Sequence, residues 1–291
     1  MQHDELWIGT MLEGKARWVA VRTTDTVEEA RRRHGMSPVA TAALGRLMTG
    51  ALILASSLKG EESITLRLLG DGPLEGVVAV GNAQGNVRGY VREPRVDLPL
   101  KATGKLDVAT AVGHGELAVS RSLQNGEVYT GMVPLVSGEI AEDLVHYLLT
   151  SEQIPSAMLL GVLVEKDYHV AGAAGFLIQP LPGATEEDIQ AIERLLEQLQ
   201  VGISELVAQS LGMEELLDHL MGELPYHVLE RRAVGFSCTC SKARLSDTLV
   251  SLGEKEIANL ISDGKAELVC HFCNENYLFN KDELQQIWER A

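Results

Sequence analysis

Aromatic residues make up only 4% of this chain of 291 residues. A core must therefore be assembled from leucine, valine, isoleucine and alanine, and the 45% hydrophobic content excludes wholesale disorder. Basic residues are scarce beside acidic ones, 25 against 41, for a net charge of −16. That balance argues against a protein that tracks nucleic-acid phosphates and against an anionic-membrane binder. Glycine-rich phosphate loops are missing too, because the glycines have turn spacing and match neither GxGxxG nor GxxxxGKS/T. The first twelve residues lack a basic segment ahead of an apolar stretch, so no secretory signal is expected and the expected compartment is the cytoplasm. The apolar run 39–58 is long enough to cross a membrane, but Arg46 near its middle and Gly45, Thr49, Ser56 and Ser57 dilute it. It is expected to be a buried core helix. Cysteine is absent until residue 238.

What is present suggests about two domains for a chain of this length. Strands are expected at 6–12 and 16–21, joined at Glu13-Gly14, followed by a charged helix from Thr26 to His34 that Gly35 ends. Ser37-Pro38 supplies an N-cap and a first-turn proline for the apolar helix that runs to Leu58. Further strands are expected at 63–69, 75–80, 86–91, 116–121, 127–133, 157–164 and 169–179, with helices at 107–112 and 139–150. Hairpins mixed with helices indicate an α+β fold, not a doubly wound parallel sheet. Arg46 in its apolar helix needs a carboxylate partner that the sequence does not identify. The basic run Arg31 to His34 is expected on a solvated helix face, and His146 and Tyr147 as packing residues.

Composition changes at Pro180-Leu181-Pro182-Gly183. Residues 183–291 hold 20 acids and 9 bases, and this polar third is expected to be the less stable part. Thr185 and Asp188 have the spacing of a capping box that opens an amphipathic helix, and shorter helices are expected at 203–210 and 213–221. Such short helices persist only when docked. The expected divisions are 1–180 for the α+β domain, 181–225 for a helical linker and 226–291 for a cysteine module, with a strand at 226–236 leading into it.

The four cysteines fall as Cys238-Thr-Cys240 and Cys270-His-Phe-Cys273. Zinc takes four thiolates tetrahedrally, and each close pair can place two sulfurs on one ion. The expected ligands are Cys238, Cys240, Cys270 and Cys273, with one Zn2+ per chain. Helices near 243–252 and 254–262 bring the pairs together, strands at 266–269 and 277–279 flank the second, and Asn280 with Glu283 caps a final helix. Two structural disulfides or four unrelated buried thiols are the bland alternative, and the C-x-C spacing does not match the usual iron–sulfur runs. His271 could replace a cysteine, but beside two complete pairs it is expected outside the site. The C-x-C and C-x-x-C spacings each allow a local disulfide, which makes the site chemically able to act as a switch.

Several stretches resemble the redox-regulated holdase chaperones of the 33-kDa heat-shock protein family. They are EARRRHG (29–35), ALGR (43–46), GDGPL (70–74), VSGEIAEDL (136–144), SEQIPSA (151–157), GVLV (161–164) and CHFCN (270–274). Ala174 departs from the glycine usual there. The resemblance implies a three-layer N-terminal domain with helices between two sheets, a helical linker and a small zinc domain. It also implies an ATP-independent chaperone that is not an enzyme and is inactive when reduced and zinc-bound. Oxidation would form Cys238–Cys240 and Cys270–Cys273 disulfides, eject zinc, and unfold the zinc domain and then the linker. The expected partners are unfolding client proteins and, in the oxidised form, a second copy of the chain, with no nucleic acid and no membrane. The competing reading is a zinc-ribbon protein with a purely structural zinc that binds nucleic acid or protein. Four bases against five acids between the pairs, residues 241–269, speak against nucleic acid. A zinc hydrolase needs an open coordination position, which four thiolates do not leave.

Overall fold

Residues 5–22 form the expected N-terminal hairpin: β1 (Glu5–Met11) and β2 (Ala16–Arg22) pair antiparallel, with Gly9 opposite Trp18. The computed structural model describes residues 3–199, 201–209, 212–251 and 253–289. Next come α1 (Thr24–His34) and α2 (Pro38–Ala55). The Ser37 hydroxyl accepts the Ala40 amide at 3.3 Å and caps α2, with Pro38 in its first turn. The helix ends before Leu58, where the Ser56 and Leu58 N–H groups turn to the i−3 carbonyls of Ile53 and Ala55, and Ser57 Oγ bonds to the Leu54 carbonyl (3.1 Å).

The chain continues through β3 (Ser63–Gly70), β4 (Val77–Asn82), β5 (Asn86–Val91), α3 (Val108–Val112), β6 (Gly115–Ser122), β7 (Val128–Pro134), α4 (Ala141–Thr150), β8 (Ala157–Val164) and β9 (Val170–Pro180). Three helices follow, α5 (Glu186–Glu197), α6 (Ile203–Ala208) and α7 (Met213–Met221), then β10 (Tyr226–Ala233) and β11 (Gly235–Phe236). Two sheets result, ordered β10-β1-β2-β9-β8 and β11-β5-β4-β3-β6-β7. The fold is α+β, as expected.

The main core lies between these sheets and is filled by α2, whose residues 39–55 are buried except Arg46. By length and composition α2 could cross a membrane, but here two sheets cover it. The approach is close: a Cβ on Gly81 of β4 would lie 2.9 Å from the Ala51 carbonyl oxygen. A second apolar cluster occupies the other face of the first sheet. Trp7, Met11, Trp18, Phe176 and Ile178 meet Leu206, Val207, Leu216, Leu217 and Leu220 of α6 and α7, together with Ile192 and Leu195 of α5. Strands β2 and β9 are thus covered on both faces, which is why they read as nearly continuous apolar runs. The helices α5–α7 have 12, 6 and 9 residues, below the length that holds alone in water, so this packing sustains them.

The strand expected at 226–236 is divided. β10 hydrogen-bonds along β1, then Val234 N–H donates to the Asp4 carbonyl, and β11 pairs in parallel with β5 of the other sheet. The open edges of β1 and β5 draw residues 226–236 into the first unit, Met1–Ser237, and away from the cysteine-bearing unit, Cys238–Ala291. The expected grouping of 226–236 with the cysteines is corrected to that extent. The run Arg31 to Arg33 pairs with Glu28 and Glu29 of its own helix, and Arg33 also stacks 5.3 Å from the Phe236 ring. Tyr147 is buried in the main core, as expected of a packing residue, while His146 is half-buried.

The second unit comprises α8 (Lys242–Val250), α9 (Glu254–Asp263), the hairpin β12 (Lys265–Val269) and β13 (Asn276–Asn280), and α10 (Lys281–Trp288). Among the described residues its core comprises six buried apolar side chains, Leu249, Ile257, Ala266, Phe279, Leu284 and Ile287. Asn280 and Glu283 form the expected reciprocal cap of α10.

Candidate metal centre

The first cysteine pair lies in an extended segment just before α8. Ser241 caps α8 by accepting the Arg244 amide (3.2 Å), and the Arg244 guanidinium donates to the Thr239 carbonyl (3.0 Å) between the two cysteines. The second pair lies in the turn from β12 to β13. There Cys270 N–H donates to the Glu275 carbonyl and Asn274 N–H to the Cys270 carbonyl, at 2.9 and 2.8 Å. Asn274 takes a left-handed conformation (φ 57°), which asparagine tolerates better than most residues, and this closes the knuckle.

These two loops bring all four sulfurs within 4.8 Å of one another. Cys238 and Cys270 are separated by 3.8 Å and Cys240 and Cys273 by 3.2 Å, and all four are free thiols. Metal–sulfur bonds of about 2.3 Å in a tetrahedron require sulfurs about 3.8 Å apart. The four cysteines are therefore clustered closely enough to hold a metal ion, and an all-sulfur donor set suits a soft or borderline one. His271 is exposed and is not among the gathered ligand atoms.

The sulfurs differ in their surroundings. Burial pushes the Cys238 and Cys273 thiols up. At Cys240 burial acts in the same sense, but hydrogen bonds from Tyr277 and the neighbouring thiols outweigh it and bring the thiol down to about 7. The Tyr277 hydroxyl, 3.2 Å from Cys240 Sγ, is itself held protonated by that hydrogen bond, well above its ordinary range. Tyr277 is the residue at this site that sequence reasoning missed. The pattern marked it only as one position of a strand, and nothing in C-x-x-C spacing indicates which side chain of a following strand turns toward the sulfurs.

Comparison with known proteins agrees with the fold. The family model described as Hsp33 protein matches residues 4–280. The 33 kDa chaperonin of Desulforamulus reducens is 49% identical over 279 residues, covering 96% of this chain and 95% of its own. That of Bacillus subtilis is 48% identical over 281 residues, covering 96% of each. The crystal structure of the 33 kDa chaperonin (heat shock protein 33 homolog) from Thermotoga maritima superposes with a TM-score of 0.92 at 40% identity, covering 99% of both chains.

Proposed function

This chain belongs to the Hsp33 family, and from that premise we propose that it is an ATP-independent holdase chaperone switched on by oxidation of its four cysteines. The supporting observation is the gathering of four sulfurs in a unit whose apolar core, among the described residues, is six side chains. So small a core needs a staple, and a structural zinc on Cys238, Cys240, Cys270 and Cys273 supplies apparent folding free energy of roughly 10–16 kcal/mol by analogy with zinc-finger peptides. The residues do the rest. One sulfur attacks a peroxide oxygen, breaking the O–O bond, and becomes a sulfenic acid as hydroxide leaves. The nearby thiolate then displaces that oxygen as a second hydroxide and forms the S–S bond. Applied at both pairs, this gives Cys238–Cys240 and Cys270–Cys273 disulfides, consumes two oxidant molecules, and leaves no metal ligands.

A unit that loses its ligands unfolds, because its own core cannot hold it. In this reading unfolding spreads along the chain through β10 and β11, and α5–α7 undock. The apolar face of the first sheet, with Trp7, Trp18 and Phe176, is then open to unfolding client proteins. The protein has no enzymatic role, works in the cytoplasm, and dimerises in its oxidised form. It binds neither nucleic acid nor membrane, in keeping with a net charge of −16. The test is aggregation of a chemically denatured client beside metal content and sedimentation, before and after peroxide or hypochlorous acid. The oxidised, metal-free chain should suppress aggregation and the reduced chain hardly at all. Equal protection by both forms means that the metal is merely structural.

A further inference from the structure

A side-chain hydroxyl reaches one of the four sulfurs: Tyr277 Oη lies 3.2 Å from Cys240 Sγ. Tyr277 is placed by the β12–β13 register, where it pairs with Leu268, and its ring packs against the small core of the unit. The direction of this hydrogen bond follows from the chemistry. A sulfur that binds a metal does so as a thiolate and has no proton to donate, so Tyr277 must donate and Cys240 accept.

We propose that Tyr277 is a positioning residue that protects the Cys240 sulfur from electrophiles. The inference rests on the reading that the four sulfurs hold a metal as thiolates. A donated hydrogen bond draws electron density from the sulfur lone pair that would otherwise attack an electrophile, and groups hydrogen-bonded to ligand atoms tune a metal site in this way. Loss of a hydrogen bond of ordinary net strength corresponds to roughly a threefold to tenfold change. The hydroxyl therefore sets how strong an oxidant must be before Cys240 reacts, while the ring can be kept without it.

The experiment uses the full-length, reduced, zinc-loaded chain and Tyr277→Phe, which retains the ring and its packing. Zinc content is measured first. Each protein is then treated with a limiting amount of iodoacetamide, so that at most one sulfur per chain reacts, and the modified cysteine is identified by mass spectrometry. The ratio of Cys240 to Cys238 modification should rise roughly threefold to tenfold in Tyr277→Phe, with the ratio of Cys270 to Cys273 unchanged. As an opposite-sign arm that leaves every side chain in place, the wild-type chain is produced with 3-fluorotyrosine and assayed below neutral pH. The more acidic phenol is a stronger donor, so the same ratio should fall. Unchanged ratios in zinc-loaded protein overturn the proposal while leaving the metal site intact. Absence of zinc from the wild-type chain overturns the underlying reading instead. If Tyr277→Phe does not fold, the fluorotyrosine arm decides alone.

Discussion

Arg46, in the middle of the apolar helix α2, places its Nη1 2.6 Å from Glu139 Oε2. The partner lies 93 residues further along the chain, in the loop that precedes α4. Lys101 binds the other carboxylate oxygen, so two cations hold one acid. Burial alone would raise the Glu139 carboxyl, but Lys101 and Arg46 outweigh it and leave it below its ordinary value. A carboxyl lowered by folding adds stability above its unfolded pKa, and loses it as pH falls through the folded one. Glu139→Gln should therefore cost about 1 kcal/mol at neutral pH. The difference from wild type should vanish in acid below the folded value, as read from urea midpoints at the two pH values. A gap that persists in acid would point to packing and not to charge.

Gly172 of β9 lies directly under α6. A Cβ added there would stand 2.3 Å from the Ser204 carbonyl oxygen and 2.8 Å from the Ala208 amide nitrogen, both backbone atoms that cannot rotate away. Gly172→Ala should lift α6 from the sheet. We expect faster hydrogen exchange across 203–221, and client protection by the reduced, metal-loaded chain. Gly235→Ala, where no atom lies within 4 Å of the added carbon and φ is not positive, is the control for an added methyl group.

Metal binding should fail one cysteine at a time. Replacing any one of Cys238, Cys240, Cys270 and Cys273 by serine swaps a soft sulfur for a poor ligand. Zinc content of anaerobically purified protein is expected to fall from one per chain toward none in each variant, and residues 242–288 should lose their helical signal. A variant that keeps its zinc would remove that residue from the ligand set.

Oxidation should act selectively along the chain. Hydrogen exchange after peroxide is expected to show 186–221 and 242–288 losing protection while β9 retains it, because β9 is hydrogen-bonded to a strand on each side and packs one face on α2. Equal protection of 186–221 before and after treatment would break the link between the cysteines and the helices. Reduction in the presence of zinc should restore the original pattern.

Local chemistry accounts for what was legible without coordinates. The turn at Glu13-Gly14, the cap at Ser37, the reciprocal caps at Thr185 and Asn280, and the apolar periodicity of α5 are set by neighbours within a few residues, and so they survive as sequence patterns. The four cysteines were equally plain, since thiolate pairs at C-x-C and C-x-x-C spacing announce themselves by composition alone. Tertiary structure decided the rest. It chose Glu139 for Arg46, divided 226–236 between two sheets, placed Gly172 beneath α6, and turned Tyr277 toward Cys240. In each case the partner is distant in sequence or lies across a strand register. Which distant surfaces meet follows from how whole elements bury their apolar faces, and no short window of residues carries that information.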